Sequence, residues 1–426
     1  KEGATDKAIR LVKAAIAKSR YAEPLHPNQF EAEKTIAVIG AGVAGMKAAA
    51  SLADKQTEVL LIEKEHRVGG HTATWGTLAM SEESGSALTE RIYKDLLRRE
   101  NVTIMTGTEV ISSKGSIGNF TLKVRKRPLK EGDPVETAEF NVGSVVVATG
   151  FDSYQPKEGE FGFAQSDNVI TLPDFRHLID HAEGKELVYK GRKIRNIAYI
   201  YCVGSRQTNG ENSYCSRFCC TSAIHASILA KKKFSRISNY HLNRGIRTYG
   251  KQELLYTESL ALGDLYLQWA EENPPAVVTA GKKSTITLRD ILSANRELEL
   301  EADLVVLVTG MVPRADNRVG TLFKLPKGRD HFFNEVHMKL RPVETVIDGV
   351  TIAGSCQGPK NITESVNSAL SAATKSFSLI SKGTLETEPI VAEVNKDLCS
   401  WCGKCTEACP FDAILQEEGD GKTVAV

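Results

Sequence analysis

A chain of 426 residues, 41% hydrophobic and 25% charged, has the composition of an ordinary globular protein and the length for two or three domains. Its net charge of +1 gives no electrostatic case for nucleic acid or an anionic membrane as a partner, and no apolar run reaches the length of a membrane span. The nine cysteines are odd in number and clustered, which argues against the even, dispersed set of a secreted disulfide framework.

Taken in chain order, residues 4–20 form an amphipathic helix with Ile9, Val12 and Ile16 on one stripe and Thr5 as N-cap. Pro24 and Pro27 stop it and open a polar linker. Lys1 begins in mid-helix without an initiator Met, so a longer parent chain is expected at this end. From Thr35 a βαβ unit starts: strand TIAVIG, a glycine loop, an alanine-rich helix to about Ala53, and strand EVLLIEK. A helix over 88–99 follows, then strand VTIMTG, a hairpin through 119–124 and 138–142, and strand SVVVATG ending at Gly150. A second α/β unit carries a strand over 196–204, a helix over 222–232 and a strand over 237–242. The pattern of the first unit returns in strands over 302–310 and 349–354 and a helix over 363–380. A short cysteine module runs from about Pro389.

This order predicts an α/β fold of two Rossmann-like dinucleotide-binding domains, laid out as in thioredoxin reductase, plus a ferredoxin-like iron–sulfur module. The expected boundaries are 1–33 for the N-terminal helix and linker, 34–151 and 300–384 for a split FAD-binding domain, 152–299 for an inserted domain, and 385–426 for the cysteine module.

The loop Gly40-Ala-Gly42-Val43-Ala44-Gly45 follows a strand and opens a helix. In that context Gly40 permits the turn, Gly42 lets backbone approach a pyrophosphate, and Gly45 allows close helix–strand packing. Glu63 ends the second strand, placed for the adenosine ribose hydroxyls, with Lys64 beside it. Gly69-Gly70, a second glycine turn, selects FAD over a nicotinamide. Val110 and the crossings Ala148-Thr149-Gly150 and Val308-Thr309-Gly310 are expected near the cofactor. In Gly354-Ser355-Cys356, Cys356 stands where such flavoproteins carry an Asp facing the ribityl chain. The box Asn361-Ile362-Thr-Glu364 caps the next helix, whose positive end would favour an anionic reduced flavin. Cys356 and Lys360 are therefore expected to act on the flavin's electrostatics and chemistry.

Cys399-x2-Cys402-x2-Cys405-x3-Cys409-Pro410 is the bacterial ferredoxin run for a 4Fe–4S cube and poor spacing for zinc. In two-cluster ferredoxins the fourth cysteine serves the other cluster, so Cys409 is open between two assignments. The ending GDGKTVAV reads as the strand before a second run, and a C-terminal truncation is expected. Cys202-x12-Cys215-x3-Cys219-Cys220 fits no common ferredoxin spacing. It occupies the place of the glycine loop that a nicotinamide domain would need, so NAD is not expected. From spacing alone a cluster, a redox dithiol and buried thiols all remain open. His225, on the following helix, reads as a packed or solvated residue, and Trp401 as packing over the cube.

Together, VIGAGVAGMKAA, CVGSR with YCSRFCC, IRTYGK, ADLVVLVTGMVP, AGSCQGPKNI and the terminal run resemble the A-type subunit of heterodisulfide reductase over nearly the whole chain. The resemblance implies that Cys202, Cys215, Cys219 and Cys220 ligate a 4Fe–4S cluster. It implies an FAD and iron–sulfur subunit of an anaerobe's multisubunit oxidoreductase, while the tight C-x2-C spacings without a signal peptide point to metal in a reducing compartment and so to the cytoplasm. Expected partners are heterodisulfide-reductase B- and C-like subunits, a hydrogenase- or formate-dehydrogenase-type electron-input subunit, and ferredoxin, with no nucleic acid. In several complexes of this family the flavin is thought to bifurcate electron pairs. The competing reading is a self-contained NAD(P)H-dependent disulfide or ferredoxin reductase with Cys219-Cys220 as its dithiol. One departure stands out: methanogen members carry a cysteine-rich insertion after the Gly-Gly turn, where HTATWGTLAMSEES has no cysteine.

Overall fold

Short, continuous apolar runs such as IAVI and VLLI have no polar face to present to water, and they become parallel strands covered on both sides. The computed structural model describes residues 3–22, 27, 29–81, 83–128, 135–281, 283–386, 394–409, 414–419 and 422–425. The features expected at Pro24, Pro389 and Pro410 lie outside the described residues.

The first parallel sheet runs in the order Val350–Ile352, Ser144–Val147, Ile36–Ile39, Val59–Ile62, Val102–Met105. Helices Val43–Ala53 and Ile362–Ile380 pack together on one face. The other face is covered by an antiparallel meander of Thr108–Ser116, Asn119–Lys126 and Glu136–Val142, whose Val110, Phe120, Leu122 and Val124 join Leu60, Val145 and Val147 in one core.

The second parallel sheet repeats this plan, in the order Val169–Thr171, Leu304–Thr309, Asn196–Val203, Ser238–Asn243, Leu265–Gln268. Helices Leu172–His181 and Cys219–Lys233 cover one face, and a meander of Ala276–Ala280, Lys283–Asp290 and Arg296–Ala302 the other. Here one expected boundary is corrected. The strand Leu304–Thr309, assigned from its sequence to the flavin half, pairs with Val169–Thr171 and Asn196–Val203 in the second sheet. The chain therefore returns to the first sheet only after Gly310. The outward and return crossings meet as the antiparallel pair Asp152–Ser153 and Met311–Val312.

Beneath the second sheet lies a buried polar knot. Asp264 accepts hydrogen bonds from Ser259 Oγ at 2.6 Å, Asn239 Nδ2 at 2.9 Å and Ser227 Oγ at 3.1 Å, and Lys231 Nζ stands 2.8 Å away. His241 is sandwiched between Tyr199 and Tyr266, with its Nε2 3.6 Å from the same carboxylate. Burial pushes the Asp264 carboxyl up, but His241, Lys231, Ser259 and Asn239 outweigh it and hold the carboxyl well below the usual range. A depressed carboxylate stabilises fully above its ordinary pKa, and that contribution is lost as pH falls through the folded value. Asp264→Ala strands Lys231 and three donors, so an expected loss of about 3–5 kcal/mol follows. Differential scanning calorimetry should show a melting transition lower by roughly 10 °C at neutral pH, with the gap to wild type narrowing at strongly acidic pH.

A separate compact unit combines the segments before residue 32 and after residue 383. Its strand Gln29–Glu31 pairs antiparallel with Thr384–Glu386. Its helix Ala4–Ser19 starts from Gly3, which has φ 82° and no side-chain cap, so Thr5 sits inside the first turn and not at the cap. Ile9, Val12 and Ile16 form an exposed stripe. The cysteine module contributes the short helix Lys404–Ala408 and a hairpin of Gln416–Gly419 with Lys422–Ala425. Among the described residues no helix is long and apolar enough to cross a membrane.

Candidate functional site

Two glycines of the loop, Gly40 and Gly45, are packed so tightly against backbone that neither can carry a side chain. A Cβ on Gly45 would sit 1.7 Å from the Gly40 carbonyl oxygen, and one on Gly40, at φ 104°, would sit 2.4 Å from the Ala148 oxygen. The helix Val43–Ala53 begins at Gly42 without any side-chain cap, which leaves its first-turn N–H groups available to an anion. Gly69 N donates to Ala41 O at 2.7 Å, so the second glycine turn lies against the first. Glu63 is buried and braces the first turn: its carboxylate accepts from Ala41 N at 2.7 Å and from Glu65 N at 2.9 Å. Lys64 Nζ pairs with Asp316 at 3.5 Å.

A cavity of about 880 Å³ opens over these elements. Gly40, Gly42, Val43, Ala44, Glu63, Lys64, Gly69 and Gly70 line it, as do Val110, Ala148, Thr149 and Gly150. Ser355, Lys360, Asn361 and Ile362 line it at the start of the helix Ile362–Ile380. That helix has the expected capping box: Glu364 N donates to Asn361 Oδ1 at 2.8 Å and Asn361 N to Glu364 Oε2 at 3.0 Å. The uncapped helix end, the side-chain-free glycines and the cavity's size fit a dinucleotide such as FAD.

Four expected contacts stand behind the cavity wall. Gly45 and Gly354 serve close packing, and a Cβ on Gly354 would meet Ala44 Cβ at 2.6 Å. Gly310 is bonded to Val203 O and faces Ser216. Cys356 does not take the place of a ribityl-facing Asp; its thiol donates to Ala353 O at 3.2 Å and Val147 O at 3.3 Å, inside the apolar core. Burial pushes that thiol up, consistent with an inert, protonated side chain. Lys360 does reach the cavity. Burial lowers its pKa, partly offset by the charges of Cys356, Glu335 and Glu364.

The loop over 202–220 places its four cysteines within electrostatic reach of one another. The interaction of the adjacent Cys219 and Cys220 thiols holds Cys220 low and pushes Cys219 up, and Cys219 also feels the charges of Cys202 and Cys215. Burial pushes the Cys202 thiol up to about 11. Donors are already directed at sulfur: Arg217 N to Cys215 Sγ at 3.4 Å and Arg206 Nη1 to Cys202 Sγ at 3.9 Å. Cys202, Arg206 and Arg217 adopt left-handed φ of 63°, 54° and 61°, a strained path around the thiols. In the separate cysteine module, Trp401 at φ 49° directs its N–H to Cys399 Sγ at 3.5 Å, and Cys405 lies on the helix Lys404–Ala408 that ends at Cys409. Cys402 and Cys405 are exposed. Among the described residues no three His, Cys, Asp or Glu side chains are drawn together tightly enough to hold a single metal ion. The donor set, all thiol with amide donors to sulfur, fits iron–sulfur clusters.

Several residues at the site carried no sequence signal of their own. Phe151 and Phe218 line the cavity, with ring centroids 6.4 Å apart, and Phe151 stacks on His71 at 4.6 Å. Phe218 directly precedes Cys219, so its adjacency to the cysteines was the one available hint. Arg176 reaches from the second domain to Thr77 O at 2.8 Å and abuts His225, whose pKa burial lowers to about 4.

Comparison with known proteins agrees with this geometry. The family described as pyridine nucleotide-disulphide oxidoreductase matches residues 34–191, and the 4Fe-4S binding domain family matches residues 392–415. The chain is 32% identical to an iron-sulfur A-type subunit of CoB–CoM heterodisulfide reductase from Methanopyrus kandleri, covering 99% of this chain and 76% of that protein. It is 31% identical to the A-type subunit of H2:CoB-CoM heterodisulfide,ferredoxin reductase from Methanothermobacter marburgensis, covering 98% and 75%. In fold it is similar to thioredoxin reductase of Lactococcus lactis, with a TM-score of 0.54 at 16% identity, covering 82% of this chain and 100% of that one. Thioredoxin reductase of T. acidophilum gives a TM-score of 0.53 at 17% identity, covering 81% and 99%.

Proposed function

The chain belongs to the family of heterodisulfide reductase A-type subunits, and from that premise we propose how its residues serve an FAD- and 4Fe–4S-containing electron-transfer component of a multisubunit oxidoreductase. FAD supplies a centre that takes up electrons in pairs and releases them singly, matched to clusters that carry one at a time. The glycine loop, the uncapped helix at Gly42 and Glu63 would hold the dinucleotide, with the Gly69-Gly70 turn beside them. Lys360 and the capped helix end at Asn361 place positive potential at the flavin end. Cys202, Cys215, Cys219 and Cys220 hold one cluster, and Cys399, Cys402 and Cys405, with Cys409 in the same or a neighbouring set, hold the ferredoxin-type one. We assign the flavin domain to the segments 34–151 and 310–384 around the inserted domain.

The carrying observation is a shared wall: Phe218 lines the cavity, and the next residue in the chain is Cys219. A redox path from cavity to cysteines therefore needs no nicotinamide between them. For partners we propose B- and C-like subunits, ferredoxin, and a hydrogenase- or formate-dehydrogenase-type input. Support comes from the names of the relatives, one of which belongs to an H2/formate:CoB-CoM heterodisulfide,ferredoxin reductase. The alignment to the Methanopyrus relative runs over 500 positions, more than the 426 residues here, in keeping with a segment that this chain does without. Anaerobic purification with flavin, iron and sulfide analysis tests the assignment. About one FAD and about eight irons per chain are expected, and stoichiometric zinc in place of iron would overturn it.

Lys360 gives a sharper expectation. Removing a buried cation beside the reduced, anionic flavin makes reduction harder. Lys360→Gln should lower the flavin's two-electron potential by about 30 mV or more, equivalent to about 1.4 kcal/mol. Spectroelectrochemical titration reads this directly, and an unchanged potential would remove Lys360 from the site's electrostatics.

A further inference from the structure

Dinucleotide domains joined by two strand crossings are expected to move relative to each other unless something ties them. Here the cysteine loop itself is tied to the flavin helix. Arg217 Nη2 meets Glu364 Oε1 at 2.6 Å, and the same oxygen accepts from Tyr249 OH at 3.0 Å. Asn361 Nδ2 donates to Tyr249 OH at 3.0 Å, and the Arg217 guanidinium lies over the Tyr249 ring, 5.6 Å from its centroid. Glu364 and Asn361 are the two members of the capping box that orients the helix end toward the cavity. On its other side the loop is held to the return crossing: Met311 N donates to Ser216 Oγ at 2.9 Å, and Tyr214 OH to Met311 O at 3.1 Å. Arg217 sits in a left-handed conformation between two of the four cysteines, with its N–H directed at Cys215 Sγ at 3.4 Å.

We propose that Arg217 is a positioning residue: its clasp on Glu364 and Tyr249 fixes the 215–219 segment against the flavin end of the cavity and so sets the flavin-to-cluster separation. This rests on the reading of the cavity as a flavin site and of the four cysteines as cluster ligands. The step it positions is a one-electron transfer, in which the reduced flavin loses an electron, the oxidised cluster gains it, and no bond is made between them. A half-exposed ion pair contributes little to stability by itself, so the clasp acts on geometry more than on folding.

The test uses the full, cofactor-loaded chain with Arg217→Ala, Arg217→Lys and Tyr249→Phe. Electron transfer from photoreduced flavin to cluster is timed by absorbance, and their magnetic interaction is read by EPR relaxation. Arg217→Ala should slow transfer severalfold and weaken the magnetic interaction. Arg217→Lys should recover most of both, and Tyr249→Phe should shift both in the same direction by less. Unchanged rate and magnetic interaction in Arg217→Ala would overturn the proposal. If that variant fails to load its cluster, Tyr249→Phe decides alone, and no change in it overturns the proposal. A wild-type loop without iron would sink the functional reading instead. The clasp would then be judged by amide exchange over 215–218, protected in wild type and lost in Arg217→Ala if it exists.

Discussion

Replacing Cys219 by alanine should remove one whole cluster, about four irons per chain, while FAD and the ferredoxin-type cluster stay bound. Cys219 is 2% exposed and lies within electrostatic reach of Cys202, Cys215 and Cys220, so no water or neighbouring side chain replaces it as a ligand. The loop's three left-handed residues cost about 1–2 kcal/mol each, which ligand bonds offset when the cluster is present. The variant should therefore also melt earlier, by about 3 kcal/mol or more of lost stability. Iron analysis and EPR of the dithionite-reduced protein check the first part, and thermal denaturation the second. Retention of full iron would show that Cys219 ligates no cluster.

Gly42→Ala should lower FAD affinity by about tenfold to a hundredfold without altering the apoprotein's melting temperature. The contrast with its neighbours makes this variant informative. A Cβ on Gly40 or Gly45 would collide with backbone, so those variants mix folding with binding. A Cβ on Gly42 meets no protein atom within 4 Å, and its φ of −72° suits any residue. Only the approaching pyrophosphate would meet the added methyl. Fluorescence titration of deflavinated protein with FAD measures the loss, and equal affinity would place the dinucleotide elsewhere.

Local features were legible in the sequence. The glycine loop, the Gly-Gly turn and the Asn361 capping box depend on neighbours in the chain, and each appears in the structure with its expected backbone. Partners distant in sequence were not legible. The strand Leu304–Thr309 is apolar on both faces, and such a run does not say which sheet it will join. Cys356 was aligned by position with a polar residue, but the backbone at Gly354, φ 72°, turns the thiol into the core. Thr5 had the chemistry of a cap, yet the helix begins earlier than a Thr5 cap requires, from Gly3. The Phe151–Phe218 wall and the Arg217–Glu364 clasp join residues 67 and 147 positions apart, and no periodicity encodes such a meeting.

The central claim is that one FAD and its neighbouring cysteine cluster exchange electrons without a nicotinamide in between. The most direct measurement is an anaerobic titration of the isolated, cofactor-loaded chain, following flavin absorbance and cluster EPR, first with NADH or NADPH and then with dithionite. We predict no flavin bleaching with stoichiometric nicotinamide, followed by reduction of both flavin and cluster by dithionite. Stoichiometric bleaching by NADH or NADPH alone would contradict the account and reinstate a self-contained pyridine-nucleotide reductase.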